Sequence, residues 1–181
     1  MYEKTGLLRA YDSIVVPGIL ETYDYVVALF EAVARLYGLP TDNDPRDAAK
    51  ARMARQRLIT EPTGRNQHSF VIEYSALTNI IGGPEVMDEQ LGFLADVTRL
   101  PHVTFEIIPP DVTRTLYAGE GVYIFDDQFV RTSIWSGEVR TNKPEEIGFY
   151  VKMFDLFRDQ AVYGDPAREL IESARGGPRR Q

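Results

Sequence analysis

The segment from Ser69 to Ile108 constrains the fold more than any other part of the chain. Ser69–Tyr74 (SFVIEY) predicts a strand, and His102–Ile108 (HVTFEII) is the clearest strand in the sequence, since it is β-branched and alternates. Between them, Pro84 begins a segment whose apolar residues recur at helical spacing. A strand, a helix and a strand in this order predict a right-handed βαβ unit with parallel strands.

Helical patterns lie on both sides of this unit. Within residues 1–16, Leu7, Leu8, Tyr11, Ile14 and Val15 have helical spacing, and Pro17-Gly18 ends the pattern. Further helices are predicted at residues 21–37, at 42–58 on the surface, at 75–81, from Pro144 to Val162, and from Asp165 to about Gly176.

The remaining pattern is a hairpin. Val122–Phe125 and Phe129–Trp135 flank Asp126-Asp127, while residues 111–120 and 136–143 are predicted to be loops. The sum is one α+β domain over residues 1–175, in which terminal helices pack on a small mixed sheet that contains one βαβ unit and the hairpin. Residues 176–181 are predicted to form a flexible basic tail.

Charge and composition exclude several classes of function. The formal net charge of −7 disfavours direct binding of nucleic acid, because the only dense basic run is the predicted tail. The chain has no cysteine, which excludes disulfides and thiolate chemistry and agrees with a cytoplasmic location. No apolar run approaches the roughly 18 residues that a membrane helix needs.

Sequence motifs for cofactors and metals are also missing. His68 and His102 do not have the spacing of metal ligands. Gly82-Gly83-Pro84 is predicted to form a turn rather than a phosphate-binding loop. We therefore expect no metal and no cofactor. Three carboxylates lie within or beside apolar segments: Glu21, Glu73 and Glu106. For Glu73 and Glu106, exposure on the solvated face of a strand is the favoured interpretation.

Four separated motifs resemble those of one known family. Val16–Tyr25 (VPGILETYDY) resembles a Val-Pro-Gly-Leu-Leu-Gln-Thr-Pro-x-Tyr-Ala signature, and Arg52–Leu58 resembles the Ala-Arg-x-x-Arg-Gln helix that follows it. Ser75-Ala76-Leu77 with Ile81-Gly82-Gly83 resembles a Glu-Ser-Ala-Leu-Arg-Arg-x-x-Gly segment. Met87-x-x-Gln90-Leu91, followed by Pro101–Thr104, resembles Met-x-x-Gln-Leu and Pro-x-Val-x-Val.

Because these motifs agree in order and spacing, the chain resembles DUF5753, the C-terminal domain of Scr1-like regulators of actinobacteria. In such regulators an Xre-type helix-turn-helix usually precedes the domain. The resemblance implies a regulatory module that binds a small molecule or a small partner protein. The sequence contains no helix-turn-helix, and Met1 lies directly before the domain, which favours a natural stand-alone protein; a helix-turn-helix that was trimmed away is the alternative that stays open.

Departures from the family pattern suggest where a ligand binds. Glu21 stands where the family has Gln, Tyr23 where it has Pro, and Tyr74 where it has Glu. In the hairpin strand, Trp135 lies where the family has a Tyr-x-Glu pattern, and the acid is gone. One interpretation is simple repacking of the core. The other is a pocket reshaped by aromatic walls for a flat or apolar ligand.

Two functions follow from these residues. The first is a non-catalytic regulatory module in which a ligand favours one packing of helices and sheet over another. The alternative is a cofactor-independent enzyme of specialised metabolism, a cyclase or isomerase. In that enzyme Glu21 is the catalytic acid and base, while Tyr23, Tyr74 and Trp135 hold the substrate. Whether the protein is an enzyme stays open at this point.

Four further residues complete the predicted ligand site. Arg52 and Arg55 lie three apart on one helix face and could grip a carboxylate or phosphate, although an ion pair with a nearby acid is the favoured role. Tyr117 and Tyr123, in and after the long loop, are candidates for a pocket rim. The sequence also leaves a homodimer open.

Overall fold

A computed structural model describes residues 2–38, 44–62, 64 and 66–176. Its centre is a seven-stranded sheet. The strands are β1 (Leu7–Asp12), β2 (Gln67–Glu73), β3 (Val103–Ile108), β4 (Val122–Phe125), β5 (Phe129–Ile134), β6 (Gly137–Thr141) and β7 (Val162–Tyr163). Their order across the sheet is β6-β5-β4-β1-β2-β3-β7. The three strands β1, β2 and β3 are parallel, and the others pair antiparallel.

Six α-helices cover this sheet. They are α1 (Tyr23–Tyr37), α2 (Pro45–Thr60), α3 (Tyr74–Thr78), α4 (Pro84–Val97), α5 (Pro144–Arg158) and α6 (Asp165–Gly176), and a 3-10 helix at Tyr2–Lys4 precedes β1. Their ends follow the sequence signals: Pro occupies the first turn of α2, α4 and α5, and the Asp44 carboxylate accepts the N–H of Arg46 as the N-cap of α2. Gly38, with φ 60°, ends α1 in the left-handed conformation.

The predicted βαβ unit is confirmed. The chain runs from β2 through α3 and α4 into the parallel neighbour β3, with His68 opposite Val103 and Glu73 opposite Ile108. A second parallel crossover, from β1 through α1 and α2 into β2, precedes it. The fold is therefore a single α+β domain with a mixed sheet, as the sequence predicted.

The predicted N-terminal helix is wrong, because Leu7–Asp12 is the central strand of the sheet. Both faces of this strand are covered: Leu8 and Ala10 pack on one side, and Tyr11 packs on the other. A strand buried on both faces loses strict alternation, and its apolar run then resembles a helix. Two strands were also missed. Residues 137–141 form β6 rather than a loop, and α5 ends at Arg158, before β7.

The hydrophobic core has two halves, one on each face of the sheet. The larger half contains Leu8, Phe70 and Phe105 from the strands, packed against residues of α3, α4 and α6 such as Leu77 and Leu94. The smaller half is closed by α5, whose buried residues are Ile147, Phe154 and Phe157. The residues of β6 lie outside both halves, and all but Thr141 are exposed.

The Asp126-Asp127 turn joins β4 to β5 in a way that residue preferences did not favour. Both aspartates have positive φ (51° and 54°), and the Gln128 N–H donates to the Phe125 carbonyl. Aspartate tolerates this region better than most residues. The Asp126 carboxylate also accepts the N–H groups of Gly6 and Leu7, at 3.0 and 2.7 Å. The turn therefore positions the start of the central strand.

Of the other predicted segments, the surface helix is confirmed from residue 45, while residues 42 and 43 lie outside the described part of the chain. The predicted basic tail lies outside it as well, apart from Gly176, which ends α6.

Candidate functional site: an arginine–tyrosine cluster

The segment between β1 and α1 carries the first family-like motif and is fixed by two glutamines. Gln90 of α4 is fully buried; its Oε1 accepts the Thr22 N–H at 2.7 Å, and its Nε2 donates to the Leu20 carbonyl at 2.8 Å. From α2, Gln56 Nε2 donates to the Glu21 carbonyl at 2.9 Å. This segment therefore has a defined path between α2 and α4.

Glu21 lies in this segment and forms a buried ion pair. Its side chain is 2% exposed, and its Oε2 pairs with Arg52 Nη1 from α2. The same guanidinium lies beside Gly18, where a Cβ would come within 2.8 Å of Arg52 Nη1, and over the Phe30 ring. Glycine at position 18 thus gives Arg52 room to reach the carboxylate. The favoured prediction for Arg52, an ion pair with a nearby acid, is what the structure shows.

Two more arginines converge beside this ion pair. Arg131 of β5 lies with its Cζ 4.8 Å from the Tyr123 ring centroid and 5.7 Å from that of Tyr2, and Arg55 of α2 lies 5.8 Å from Tyr2. Arg131 Nη2 also donates to Tyr2 Oη at 2.7 Å. We call Tyr2, Arg52, Arg55, Tyr123 and Arg131 the arginine–tyrosine cluster.

The cluster brings three arginines close together in a chain whose formal net charge is −7. Burial lowers the pKa of Arg52, and the charges of Arg55 and Arg131 lower it further. Burial also raises the pKa of Tyr123, whose hydroxyl accepts the Gly18 N–H at 2.6 Å. Arg55 forms no ion pair with any residue that the structure describes. Three acids lie near the cluster: Glu21 pairs with Arg52, Glu138 lies 3.6 Å from Arg131, and Asp12 interacts electrostatically with Tyr123, so Arg55 is the arginine of the cluster without an ion pair among the described residues.

The other predicted site residues lie elsewhere. Trp135 is 80% exposed in the β5–β6 turn, where its carbonyl accepts the hydroxyl of Tyr37 at the end of α1. Glu21 precedes the start of α1, so the two lie near opposite ends of a helix that is roughly 20 Å long. Trp135 therefore does not share a pocket with Glu21. Tyr74, at the start of α3, packs half-buried against the larger core half.

Tyr23 and Tyr117 form none of the described ring contacts or hydrogen bonds with the cluster. Tyr23 is the first residue of α1, half-buried and near Lys50 of α2. Tyr117 is 80% exposed on the loop before β4. Of the eight predicted residues, the structure thus brings together Glu21, Arg52, Arg55 and Tyr123.

A second polar network lies on the opposite face of the sheet, and it corrects the prediction that Glu73 and Glu106 are exposed. Both are buried. Glu73 accepts the Tyr11 hydroxyl at 2.9 Å and pairs with Arg114, while Glu106 pairs with Arg158 at 2.9 Å. Burial raises the pKa of Glu106, and burial and the Glu73 charge raise that of Tyr11. The arginines that neutralise these acids come from a loop and from α5, which strand periodicity does not reveal.

The two histidines, His68 of β2 and His102 just before β3, lie beside each other. Their ring centroids lie 6.0 Å apart, and His102 Nε2 is 2.8 Å from the Ile59 carbonyl. Burial and the proximity of His102 lower the pKa of His68 to about 4, so His68 is neutral at physiological pH. Within the described residues, no group of three or more potential ligands is placed to hold a metal ion.

A groove also runs along α5. It lies between Asp127 and residues 144–155 of that helix, and its rim carries Lys152 and Asp155. None of the predicted site residues lines this groove.

Sequence reasoning missed Tyr2 and Arg131 as members of the cluster. For Arg131 a signal exists: it alternates with Val130 and Thr132, whose side chains are buried on the α5 face, so its own side chain must point to the cluster side. For Tyr2 the sequence holds no such signal, because its position depends on the path of the 3-10 helix.

Fold and site together define a single-domain α+β protein with a cluster of arginine and tyrosine side chains contributed by α2, the 3-10 helix, β4 and β5. The chain belongs to the DUF5753 family, described as a domain of unknown function, whose family model matches residues 3–173. No curated protein matches the sequence. Among the helices of the described residues, none has the length and apolar character to cross a bilayer.

Proposed function

We propose that this protein is a non-catalytic regulatory module that binds an anionic small molecule, a carboxylate or a phosphate, at the arginine–tyrosine cluster. The observation that carries the proposal is the convergence of three arginines: Arg55 and Arg131 lie over the Tyr2 ring, Arg131 also lies over the Tyr123 ring, and Arg52 is close enough to interact electrostatically with both arginines. Planar guanidinium groups bind carboxylate and phosphate oxygens in pairs, and aromatic rings beside them orient a flat ligand.

Accessibility and charge support this proposal. The side chains of Arg52 and Arg131 are 28% and 23% exposed, and Arg55 is exposed, so an anion can reach all three. Arg52 is already held by Glu21, which makes it a fixed donor rather than a mobile one. Arg55 contributes the charge that lacks a counter-ion among the described residues.

The positions of these residues suggest how binding is transmitted. Arg52 and Arg55 belong to α2, while Arg131 belongs to β5. An anion that bridges them favours the arrangement in which α2 is held against this part of the sheet, and that shift in population is the regulatory output. A small partner protein that recognises the same arrangement, and a location in the cytoplasm, stay predictions.

No observation favours the enzyme hypothesis. It assigned acid–base chemistry to Glu21, but the Glu21 carboxylate is buried against Arg52 and links the segment before α1 to α2. Trp135, which was expected to hold a substrate, lies in an exposed turn beside Tyr37 at the other end of α1.

Thermal unfolding in the presence of inorganic phosphate, pyrophosphate and citrate, at constant ionic strength, tests the proposal. A ligand that binds only the native state stabilises it by about 2.7 kcal/mol at a hundredfold excess over Kd, and the melting temperature rises accordingly. Arg55→Met and Arg131→Met should weaken the effect at least tenfold, because each removes a charged donor. Arg46→Met, an exposed arginine of the same helix α2, is the matched control. Equal binding by all three variants would refute this site.

A further inference from the structure

The two edges of the sheet are protected to different degrees. The edge at β7 has only two residues, Val162 and Tyr163. The edge at β6 has five residues, Gly137–Thr141, and within residues 2–38, 44–62, 64 and 66–176 no strand pairs with its outer side. A free edge strand presents unpaired N–H and C=O groups to another chain.

The register of the β5–β6 hairpin identifies the groups that point outward. Ile134 pairs with Gly137 across the two-residue turn Trp135-Ser136. In such a hairpin the pair that flanks the turn is hydrogen-bonded, and hydrogen-bonded and non-hydrogen-bonded pairs then alternate. Gly137, Val139 and Thr141 therefore direct their backbone groups to β5. The backbone groups of Glu138 and Arg140 point to the outside.

The side chains of these two residues, Glu138 and Arg140, carry opposite charges. We propose that β6 pairs antiparallel with β6 of a second copy of this chain, about a two-fold axis at Val139. This register places Glu138 opposite Arg140 of the partner subunit in a hydrogen-bonded pair, and the two-fold axis generates a second, identical pair. Four backbone hydrogen bonds form, and on one face the charges of Glu138 and Arg140 alternate in sign across the interface.

The side chains at this edge agree with the proposal. Glu138 and Arg140 already pair with each other along the strand, so both are oriented on the same face. Val139, on the axis, is 49% exposed, Ile134, diagonal to it across the hairpin, is 47% exposed, and Trp135 in the turn is 80% exposed. In the dimer Val139 contacts its own symmetry mate in the closely spaced, non-hydrogen-bonded position. An isologous interface of this kind closes after two copies and does not propagate into fibres.

Charge exchange tests the pairing. Sedimentation equilibrium of the wild-type chain from micromolar to millimolar concentration should show a monomer–dimer equilibrium. Arg140→Glu makes both cross-strand pairs repulsive and should raise the dissociation constant at least about tenfold. The double exchange E138R/R140E restores opposite charges across the axis and should recover dimerisation. Arg46→Glu is the control: Arg46 is as exposed as Arg140, with side chains 67% accessible, and it changes the net charge equally.

Amide hydrogen exchange gives a second readout at the same residues. Exchange of the Glu138 and Arg140 N–H groups should slow as protein concentration rises, and it should not slow in Arg140→Glu. Circular dichroism of each variant establishes that it is folded. A wild-type chain that is monomeric throughout overturns the proposal. So does a dimer that Arg140→Glu leaves intact, or that the double exchange fails to restore.

Discussion

Replacing Gln90 with Leu tests how the segment before α1 is held. The side chain of Gln90 is fully buried and satisfies two backbone groups of this segment, the Thr22 N–H and the Leu20 carbonyl. In Gln90→Leu both groups lose their partners in a site that water does not reach easily. Each buried, unsatisfied backbone group costs about 1–3 kcal/mol. The added apolar surface of Leu offsets part of this cost.

The expected net loss in the free energy of unfolding is about 3 kcal/mol. For a domain of this size, each kcal/mol corresponds to roughly 2–4 °C, so the melting temperature should fall by about 6–12 °C. Urea unfolding followed by circular dichroism measures the free energy, and calorimetry measures the melting temperature. Glu89→Leu is the matched control, because Glu89 is exposed on the same helix. It should change stability by less than about 0.5 kcal/mol.

Gln90→Glu separates the two hydrogen bonds. The carboxylate still accepts the Thr22 N–H, but it cannot donate to the Leu20 carbonyl and adds a buried charge. Near pH 4 the protonated carboxyl regains the donor, so this variant should recover part of its stability on acidification relative to the wild type. If Gln90→Leu costs less than about 1 kcal/mol, or no more than Glu89→Leu, the segment is not held by this residue and the reasoning fails.

Three further predictions concern pH and packing. Burial lowers the pKa of His68 from 6.5 to about 4, so between these pH values the unfolded chain binds a proton that the folded chain does not. The free energy of unfolding therefore falls as the pH falls from about 6.5 to 4. His68→Phe should abolish this fall in urea titrations at successive pH values. Burial raises the pKa of Asp12 from 3.8 to about 6, so between these pH values the folded chain keeps a proton that the unfolded chain has lost. The free energy of unfolding therefore falls as the pH rises from about 3.8 to 6, and Asp12→Asn should remove this fall. Gly82→Ala should cost about 2–4 kcal/mol in thermal unfolding, because φ is +72° and the new Cβ would lie 2.9 Å from Ala28 Cβ. Gly164→Ala, at φ +66° with nothing within 4 Å, should cost only about 1–2 kcal/mol; equal losses would contradict the packing argument.

The sequence predicted elements well where local chemistry determines them. The β2–α4–β3 unit follows from β-branched strands, from Pro84 and from the glycines before it, and all of these act within a few residues. The central strand β1 was not predictable in this way. Its apolar residues serve both faces of the sheet, so the information that distinguishes it from a helix lies in the layers that cover it.

The site was predictable only in part, for a related reason. Arg52 and Arg55 share a helix face, which spacing reveals, and Glu21 departs from the family pattern at the place where Arg52 pairs with it. Arg131 and Tyr2 come from distant parts of the chain, 129 residues apart, and meet only through the sheet order. Trp135 departs from the family pattern too, but it lies in an exposed turn. A departure from a pattern marks a changed environment without giving its location.

Arg131 links the arginine–tyrosine cluster to the β6 edge. Its Nη2 donates to Tyr2 within the cluster, and its Nε lies 3.6 Å from Glu138 Oε2, on the strand proposed to pair with a second copy. An anion bound to Arg131 competes with Glu138 for this guanidinium, which leaves Glu138 more available to Arg140 of the partner subunit. Binding and dimerisation are then coupled, and the coupling is reciprocal. Sedimentation with pyrophosphate, against chloride at equal ionic strength, should therefore show a tighter dimer in the wild type and no change in Arg131→Met. An unchanged dimer in wild type with saturating anion would show that the cluster and the edge act independently.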